Sequence, residues 1–341
     1  MSNNSPSRQI QKSTESDSEN SIELKVNLDA LQKSASNVFH LQCISIQEFS
    51  EGGFHKVFIW KMENGKEYIG RVAFPVYPQL KTESEVAVMK YIHLNPVPNV
   101  YYWNSSTNNP VEVEYILMDH MPGIRLCDIW SDLSIEKKKI FLLKIINIQL
   151  ELKKLTFSKI GMIVFFFNGK NDKFKIGQVI ESDFFTGERA NLSTMERGPF
   201  NTANEYISAV IRNQILYHNT FKFKEQQTYW IPKYGELYKL VPKYFPDNNQ
   251  TTYVLMHGDF HSANILVSDD GTTGLSIGNV LSEANLMLQK FFRDEMSRRS
   301  PDFIRTFENI EEEKKEFYSA VFSQEIWKVE EFFNKFGKYN F

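Results

Sequence analysis

The sequence predicts an α+β chain folded as two lobes, a small five-stranded antiparallel lobe with one helix followed by a larger, mainly helical lobe. Three observations lead there. Between Gln42 and Met118, short runs of alternating apolar residues recur between turn sequences, as in hairpin-connected strands. Beyond Pro122-Gly123 the apolar spacing lengthens to three and four residues, the period of amphipathic helices. The 341 residues, 42% of them hydrophobic, suffice for two lobes sharing a cleft.

Strands are expected over Ile44 to Phe49, Val57 to Lys61 and Tyr68 to Phe74. Glu51-Gly52-Gly53 turns the first pair, and Asn64-Gly65, a strong hairpin dipeptide, turns the second. Lys81 to Leu94 reads as the helix, with Val86, Met89 and Ile92 at helical spacing; the steps Asn95-Pro96 and Val97-Pro98 stop it. Strands near Val100 and over Val111 to Met118 complete the sheet, so residues 22–120 form the first lobe.

The second lobe, residues 121–282, opens with a helix over Ile135 to Leu155 whose apolar stripe is Ile140, Leu143, Ile146 and Leu150. A hairpin of Met162 to Phe167 and Phe174 to Ile180 follows, then helices over Tyr206 to Tyr217 and Tyr234 to Tyr244. Val254 to Met256 leads into His257-Gly258-Asp259. Ile265 to Val267 and Thr272 to Ile277 flank the turn Asp269-Asp270-Gly271. Residues 283–341 form a last segment, charged and aromatic with helical patterning. Residues 1–21, rich in Ser and Asn and without an aromatic residue, read as a disordered tail.

Composition excludes several classes. A net charge of -3, from 39 Lys+Arg against 42 Asp+Glu, argues against a general nucleic-acid-binding protein, which needs a basic excess. Cys43 and Cys127 cannot build a disulfide framework, so a reducing intracellular compartment is expected. The longest apolar run, Met162 to Phe167, is far short of the roughly 20 residues that span a bilayer. A transit peptide would be Arg-rich and poor in acids, whereas Arg8 is opposed by Glu15, Asp17 and Glu19.

The chemistry concentrates in His257-Gly258-Asp259-Phe260-His261-Ser262-Ala263-Asn264. Asp259 and Asn264, five residues apart on a tight loop, suit a paired task in which the carboxylate orients or deprotonates a hydroxyl and the amide oxygen holds a divalent metal. The same stretch also reads as a plain polar turn, or as a zinc site of His257, Asp259 and His261 that needs a further ligand. In the first lobe, Gly52 and Gly53 offer bare backbone to phosphates, although any tight hairpin favours glycine. Arg71 on the third strand and Glu85 on the helix form either an ordinary ion pair or a cation locked by a carboxylate and aimed at phosphate. Tyr115 to His120 is a strand running into a connector, or a simple edge strand. The carboxy-terminal series Phe317, Tyr318, Phe322, Trp327, Phe332, Phe333 and Phe336 either fills a core or faces a protein partner.

In this order, the segments resemble the aminoglycoside phosphotransferase family, a protein-kinase-like fold, and within it the fungal altered inheritance of mitochondria protein 9 branch. The carrying segments are Glu51 to Phe58, Gly70 to Pro75, Lys81 to Val86, Glu114 to Met118, Pro122-Gly123, Arg197-Gly198-Pro199-Phe200 and His257 to Val267. The resemblance implies ATP and Mg2+ as cofactors, with Gly52 and Gly53 over the phosphates. Arg71 would stand in place of the strand lysine, paired with Glu85, and Met118 to His120 would form the hinge. Asp259 would be the catalytic base and Asn264 a magnesium ligand. A mitochondrial location is implied, with a cytoplasmic one as the alternative reading of the amino terminus.

One departure stands out. Where the family's next strand ends in an Asp that holds the metal, this chain reads Gly274-Leu275-Ser276-Ile277-Gly278-Asn279-Val280. The position falls at Gly278 or Asn279, neither of them an anion, and magnesium is usually anchored by carboxylates. The expectation is therefore a nucleotide-sized cleft with phosphoryl transfer to a small-molecule hydroxyl weak or lost. The alternatives are an active small-molecule kinase using Asp259 as base, with Asn264 and Asn279 sufficing for the metal, and a non-catalytic protein that binds a partner through its last helices.

Overall fold

The computed structural model describes residues 24–92, 97–167, 172–185, 187–247, 252–256, 262–267, 283–302, 304, 311–322 and 326–336. The chain begins with helix α1 (Leu28–Phe39), capped by Asn27, whose side-chain oxygen accepts from the Ala30 N–H at 3.1 Å. Strands β1 (Cys43–Glu51), β2 (His55–Met62) and β3 (Glu67–Ala73) follow, then α2 (Leu80–Tyr91), β4 (Val100–Asn104) and β5 (Tyr115–Asp119). The strands form one five-stranded sheet in the order β1-β2-β3-β5-β4, with every neighbouring pair antiparallel. The expected sheet is present.

Helix α1 was outside the expectation of a single helix in this lobe. Its signal lies in Asn27 followed by Leu28, Leu31, Ala35 and Val38, a capped helical stripe ahead of the first alternating run. Leu31 and Ala35 are buried in a core with Cys43, Phe58, Trp60, Met62, Val72 and Leu117. Strand β5 also starts later than its apolar run. Val111 and Val113 are buried in the preceding loop, which Asn109 closes by accepting from the Val111 N–H at 2.7 Å and donating to the Val113 carbonyl at 2.8 Å.

The helical lobe runs β6 (Ile124–Arg125), α3 (Leu126–Ile129), α4 (Ile135–Lys154), β7 (Thr156–Phe157), the hairpin β8 (Ile163–Phe167) and β9 (Asp172–Ile176), then α5 (Ser182–Phe185). Next come α6 (Ala203–Phe221), α7 (Lys224–Tyr244), β10 (Tyr253–Val254), β11 (Leu266–Val267), α8 (Glu283–Arg299) and helices over Glu312–Phe322 and Ile326–Phe336. The expected stripe of α4 is buried at Ile146 and half-buried at Leu143 and Leu150, but Ile140 is 52% exposed. The buried face is centred instead on Phe141, Leu142, Ile145 and Ile146, a shift that goes with the packing of α4 on α8.

Phe317, Phe332 and Phe333 lie in one core with Ile207, Val210, Tyr234, Leu237 and Val241 of α6 and α7. Core filling rather than a partner surface accounts for these three rings. No helix among the described residues is long and apolar enough to cross a membrane. The expected tail over residues 1–21 and the turn and strand over residues 269–277 lie outside the described residues.

Two short ladders flank the segment that carries the chemical motif. On its approach, Tyr253 and Val254 pair with Phe157 and Thr156. On its exit, Leu266 and Val267 pair with Arg125 and Ile124, and the Leu126 N–H donates to the Ile265 carbonyl at 2.8 Å. Ile265 and Val267 are buried with Leu126, Leu142, Ile145 and Leu288. This contact demands glycine at position 123, which has φ +135° and where an added Cβ would stand 2.8 Å from the Val267 carbonyl oxygen. Gly123→Ala is expected to cost about 1–3 kcal/mol in unfolding free energy. An unchanged thermal midpoint in Gly123→Ala would contradict the tight approach.

Candidate functional site

The sheet's alternation decides which side chains meet. Phe58, Trp60, Val72 and Leu117 point to the α1 core. The residues between them point the other way, since successive strand side chains alternate faces. Val57, Arg71 and Ile116 are cross-strand neighbours, as are Ile69 and Met118. His55, Val57, Ile69, Arg71, Ile116 and Met118 therefore share the face opposite α1.

Gly52 and Gly53 lie on the turn from β1 to β2, where the Gly52 N–H donates to the His55 carbonyl at 2.9 Å. A Cβ added at either would meet nothing within 4 Å, and neither adopts positive φ. Turn sterics therefore do not explain these glycines. What they provide is bare, open backbone.

Arg71 and Glu85 are brought together, but not as a simple pair. Arg71 Nη1 is 3.8 Å from Glu85 Oε2, beyond direct hydrogen-bond range. Two residues beyond the expected pair, His55 and Lys81, complete the contact. His55 Nδ1 is 3.1 Å from Arg71 Nη2, and His55 Nε2 is 3.2 Å from Glu85 Oε2, though that second contact is not well aligned. Lys81, one helical turn before Glu85, meets Glu85 Oε1 directly. The Lys81-Glu85 spacing is a legible helical ion pair; His55 carries no such signal, because its reach to Arg71 depends on strand register.

The electrostatics follow from burial and charge. Burial works to raise the Glu85 pKa, but the His55 contact and the charges of Arg71, His55 and Lys81 outweigh it and hold the carboxyl at about 2. Burial lowers His55, helped by Arg71 and Lys81 and opposed by Glu85. Burial also lowers Lys81, with Glu85 resisting. The Arg71 guanidinium and the Lys81 ammonium only donate, and each lies 3.1 Å from one ring nitrogen, Nδ1 and Nε2 respectively, so a neutral His55 can accept from only one of them.

Helix α2 is held so that Glu85 reaches the sheet. The buried Ser84 hydroxyl donates to the Ile163 carbonyl of β8 at 2.9 Å, and Glu114 Oε1 accepts from the Gln79 N–H at 2.8 Å just ahead of the helix. On the other side of the site, Met118 lies half-buried opposite Ile69, one residue before Asp119 ends the β5 ladder. Asp119 then accepts from the Asn99 N–H at 2.9 Å and the Tyr101 hydroxyl at 2.7 Å, which pins the connector. His120 Nδ1 is 3.3 Å from Glu67 Oε2, and its ring meets the edge of the exposed Phe49 at 6.2 Å.

Asn264 sits exposed on a single helical turn, Ser262–Asn264, between the pinned ends of the loop. Asp259 and Asn279 lie outside the described residues, as do His257, His261 and Gly278. Among the described residues no group of three or more His, Cys, Asp or Glu could hold a metal ion.

Glu85 makes this cluster acid-sensitive. A folded pKa of about 2, below the ordinary 4.5, means that its stabilisation is present above pH 4.5 and drains away as the pH falls toward 2. The contribution is on the order of 3 kcal/mol. Glu85→Gln is expected to lower the thermal midpoint at pH 7 and to flatten its decline between pH 5 and pH 2. Midpoints that fall in parallel for both proteins across that window would refute the assignment.

No protein-family model matches the chain. In sequence it is similar to a subtelomeric hrmA-associated cluster protein of Aspergillus fumigatus (strain CBS 144.89 / FGSC A1163 / CEA10), 31% identical over 172 residues, which cover 46% of this chain and 33% of that protein. It is also similar to altered inheritance of mitochondria protein 9, mitochondrial, of Yarrowia lipolytica (strain CLIB 122 / E 150), 24% identical over 313 residues, 78% of this chain and 52% of that protein. The chain thus spans between a third and a half of the length of these curated relatives. In three dimensions it is similar to a streptomycin-ATP-APH(2")-IIa ternary complex, with a TM-score of 0.50 at 12% identity over 92% of this chain and 95% of that one. The chain has the two-lobed, kinase-like phosphotransferase fold, and the likeness to altered inheritance of mitochondria protein 9 read from its motifs recurs among its sequence relatives.

Proposed function

We propose that the protein binds ATP in a cleft between its lobes and that transfer of the γ-phosphoryl group to a small-molecule hydroxyl is weak or lost. The observation that carries the reading is the cluster of Arg71, His55, Lys81 and Glu85 on the sheet face opposite α1. Arg71 and Lys81 face Glu85 there, with Glu114 also acting on Lys81, and the partly exposed Arg71 guanidinium is the cation open to a phosphate. The open backbone of the Gly52-Gly53 turn would let a phosphate approach, with the Gly53 N–H as its donor, since the Gly52 N–H is taken by the His55 carbonyl. The pinned connector from Met118 to His120 would take the base edge. The ATP named in the APH(2")-IIa complex supports the same ligand for this fold.

Nucleotide fits these residues better than magnesium does. The positions implied for the metal are Asn264 and Asn279, two neutral amides, and Asn264 is exposed. A hard dication prefers carboxylate oxygen, so this donor set is a poor anchor. Bound ATP would supply the transferable phosphoryl group. Asp259 would orient or deprotonate the acceptor hydroxyl, and the missing carboxylate at Gly278 or Asn279 would leave the charge on that group under-neutralised. The burial of Phe317, Phe332 and Phe333 takes away the main argument for the partner-binding alternative. The relative named mitochondrial supports a mitochondrial location.

Calorimetry with ATP and magnesium, alongside a phosphate-release assay, tests the reading. Wild type is expected to bind ATP with little turnover, and Asn279→Asp or Gly278→Asp to raise turnover at least about tenfold. Wild-type turnover equal to that of both variants would refute the impaired-site reading, and absence of ATP binding would refute the nucleotide reading itself.

A further inference from the structure

We propose that His55 is a positioning residue for Arg71, accepting from its guanidinium at Nδ1 while Nε2–H faces Glu85, so that Arg71 is aimed at the nucleotide phosphates instead of closing on the carboxylate. The inference rests on the nucleotide reading above and deepens it.

A guanidinium left with a carboxylate pairs with it directly. Its planar fork closes on both oxygens in a bidentate pair, the strongest contact open to it. Here the fork does not close. Glu85 Oε1 is taken by Lys81, and Oε2 is faced by His55 Nε2 at 3.2 Å. Arg71 Nη1 is left at 3.8 Å from Oε2, while Nη2 is held at 3.1 Å from His55 Nδ1. One η-nitrogen is thus committed to a neutral acceptor, which offers direction without cancelling charge. With its side chain 33% exposed, Arg71 has donors left to reach out of the protein.

Three further features make the imidazole a fixed part of the frame. The His55 side chain is 8% exposed, so solvent does not compete for its nitrogens. It lies two residues before Val57 on the strand paired with β3, so register sets its distance from Arg71. The charged groups around it are Arg71, Lys81 and Glu85; Lys81 Nζ, 3.1 Å from Nε2, competes with Arg71 for the ring's one lone pair, and its direct pairing with Glu85 Oε1 is what leaves that lone pair to Arg71. Arg71 and Lys81 both disfavour a second proton on the ring. A doubly protonated ring would point N–H at N–H toward Arg71 and lose the contact.

Amide side chains separate the two ring nitrogens. Asn at position 55 keeps an acceptor near the place of Nδ1, whereas Gln keeps a donor near the place of Nε2. Measured by ATP calorimetry, His55→Gln is expected to bind about tenfold more weakly than wild type, and His55→Asn within about threefold of it. In an Arg71→Ala background the Gln substitution is expected to add no further loss, because the effect runs through Arg71. Nitrogen-15 NMR of wild type without nucleotide is expected to find the proton on Nε2 and none on Nδ1. A wild type that binds ATP while His55→Gln matches it, equal losses in the Asn and Gln variants, a full loss persisting without Arg71, or a proton on Nδ1 would each overturn the inference alone. Failure of wild type to bind ATP would instead remove the nucleotide reading and the inference with it.

Discussion

The geometry of the sheet lobe depends on what becomes of the Glu85 carboxylate. Its side chain is 20% exposed, and an ion removed from water costs several kcal/mol unless other charges and hydrogen bonds compensate. Here the compensation comes from three directions. Lys81 supplies charge from the same helix, Arg71 from β3 and an imidazole from β2. The group therefore ties helix to sheet, and it does so only because β2 and β3 pair in the register that sets Val57 opposite Arg71. The opposite face of the sheet, with Trp60 buried beside Gly70, keeps that register by filling the α1 core.

A second set of contacts joins the two lobes. Tyr77, in the loop between β3 and α2, is buried in the core of the helical lobe. Its ring meets Phe185 at 5.6 Å and Phe54, at the glycine turn, at 6.2 Å. Arg197 supports this column, lying 4.5 Å over Phe185 and donating to the carbonyls of Phe184, Arg189 and Leu192. The glycine turn and the helix bearing Glu85 thus lie on either side of a loop rooted in the other lobe. Below them, the short ladders beside Ile124 and Thr156 hold the two ends of the motif loop.

Much of the fold was legible because its signals are local. Asn64-Gly65 and the alternating runs around it are enough to place β2 and β3, and α2 ends before the proline steps as expected. Failures came where the deciding contact is distant. Alternation carried β5 back to Val111, but a turn built by Asn109 bends that segment off the ladder. Ile140 belongs to a sound helical stripe, yet the face that α4 buries is set by α8, more than a hundred residues later. Arg71 and Glu85 were identified by motif; His55 was not, because a lone histidine at the start of a strand has no local partner to betray its role.

Local sequence signals set the order of elements, the two-lobed class and the residue types at the chemical positions, since periodicity, turn dipeptides and motif spacing act over a few neighbours at a time. The sequence also determines that the position after the loop strand bears no acid, because Gly278 and Asn279 are simply what the chain contains. Tertiary structure decided that Arg71 meets an imidazole before it meets a carboxylate, that Gly52 and Gly53 stand in open space, and that the last aromatic helices close a core. Each of these depends on which surfaces are brought within a few ångströms across long stretches of chain, and hydrophobic burial settles that for the molecule as a whole.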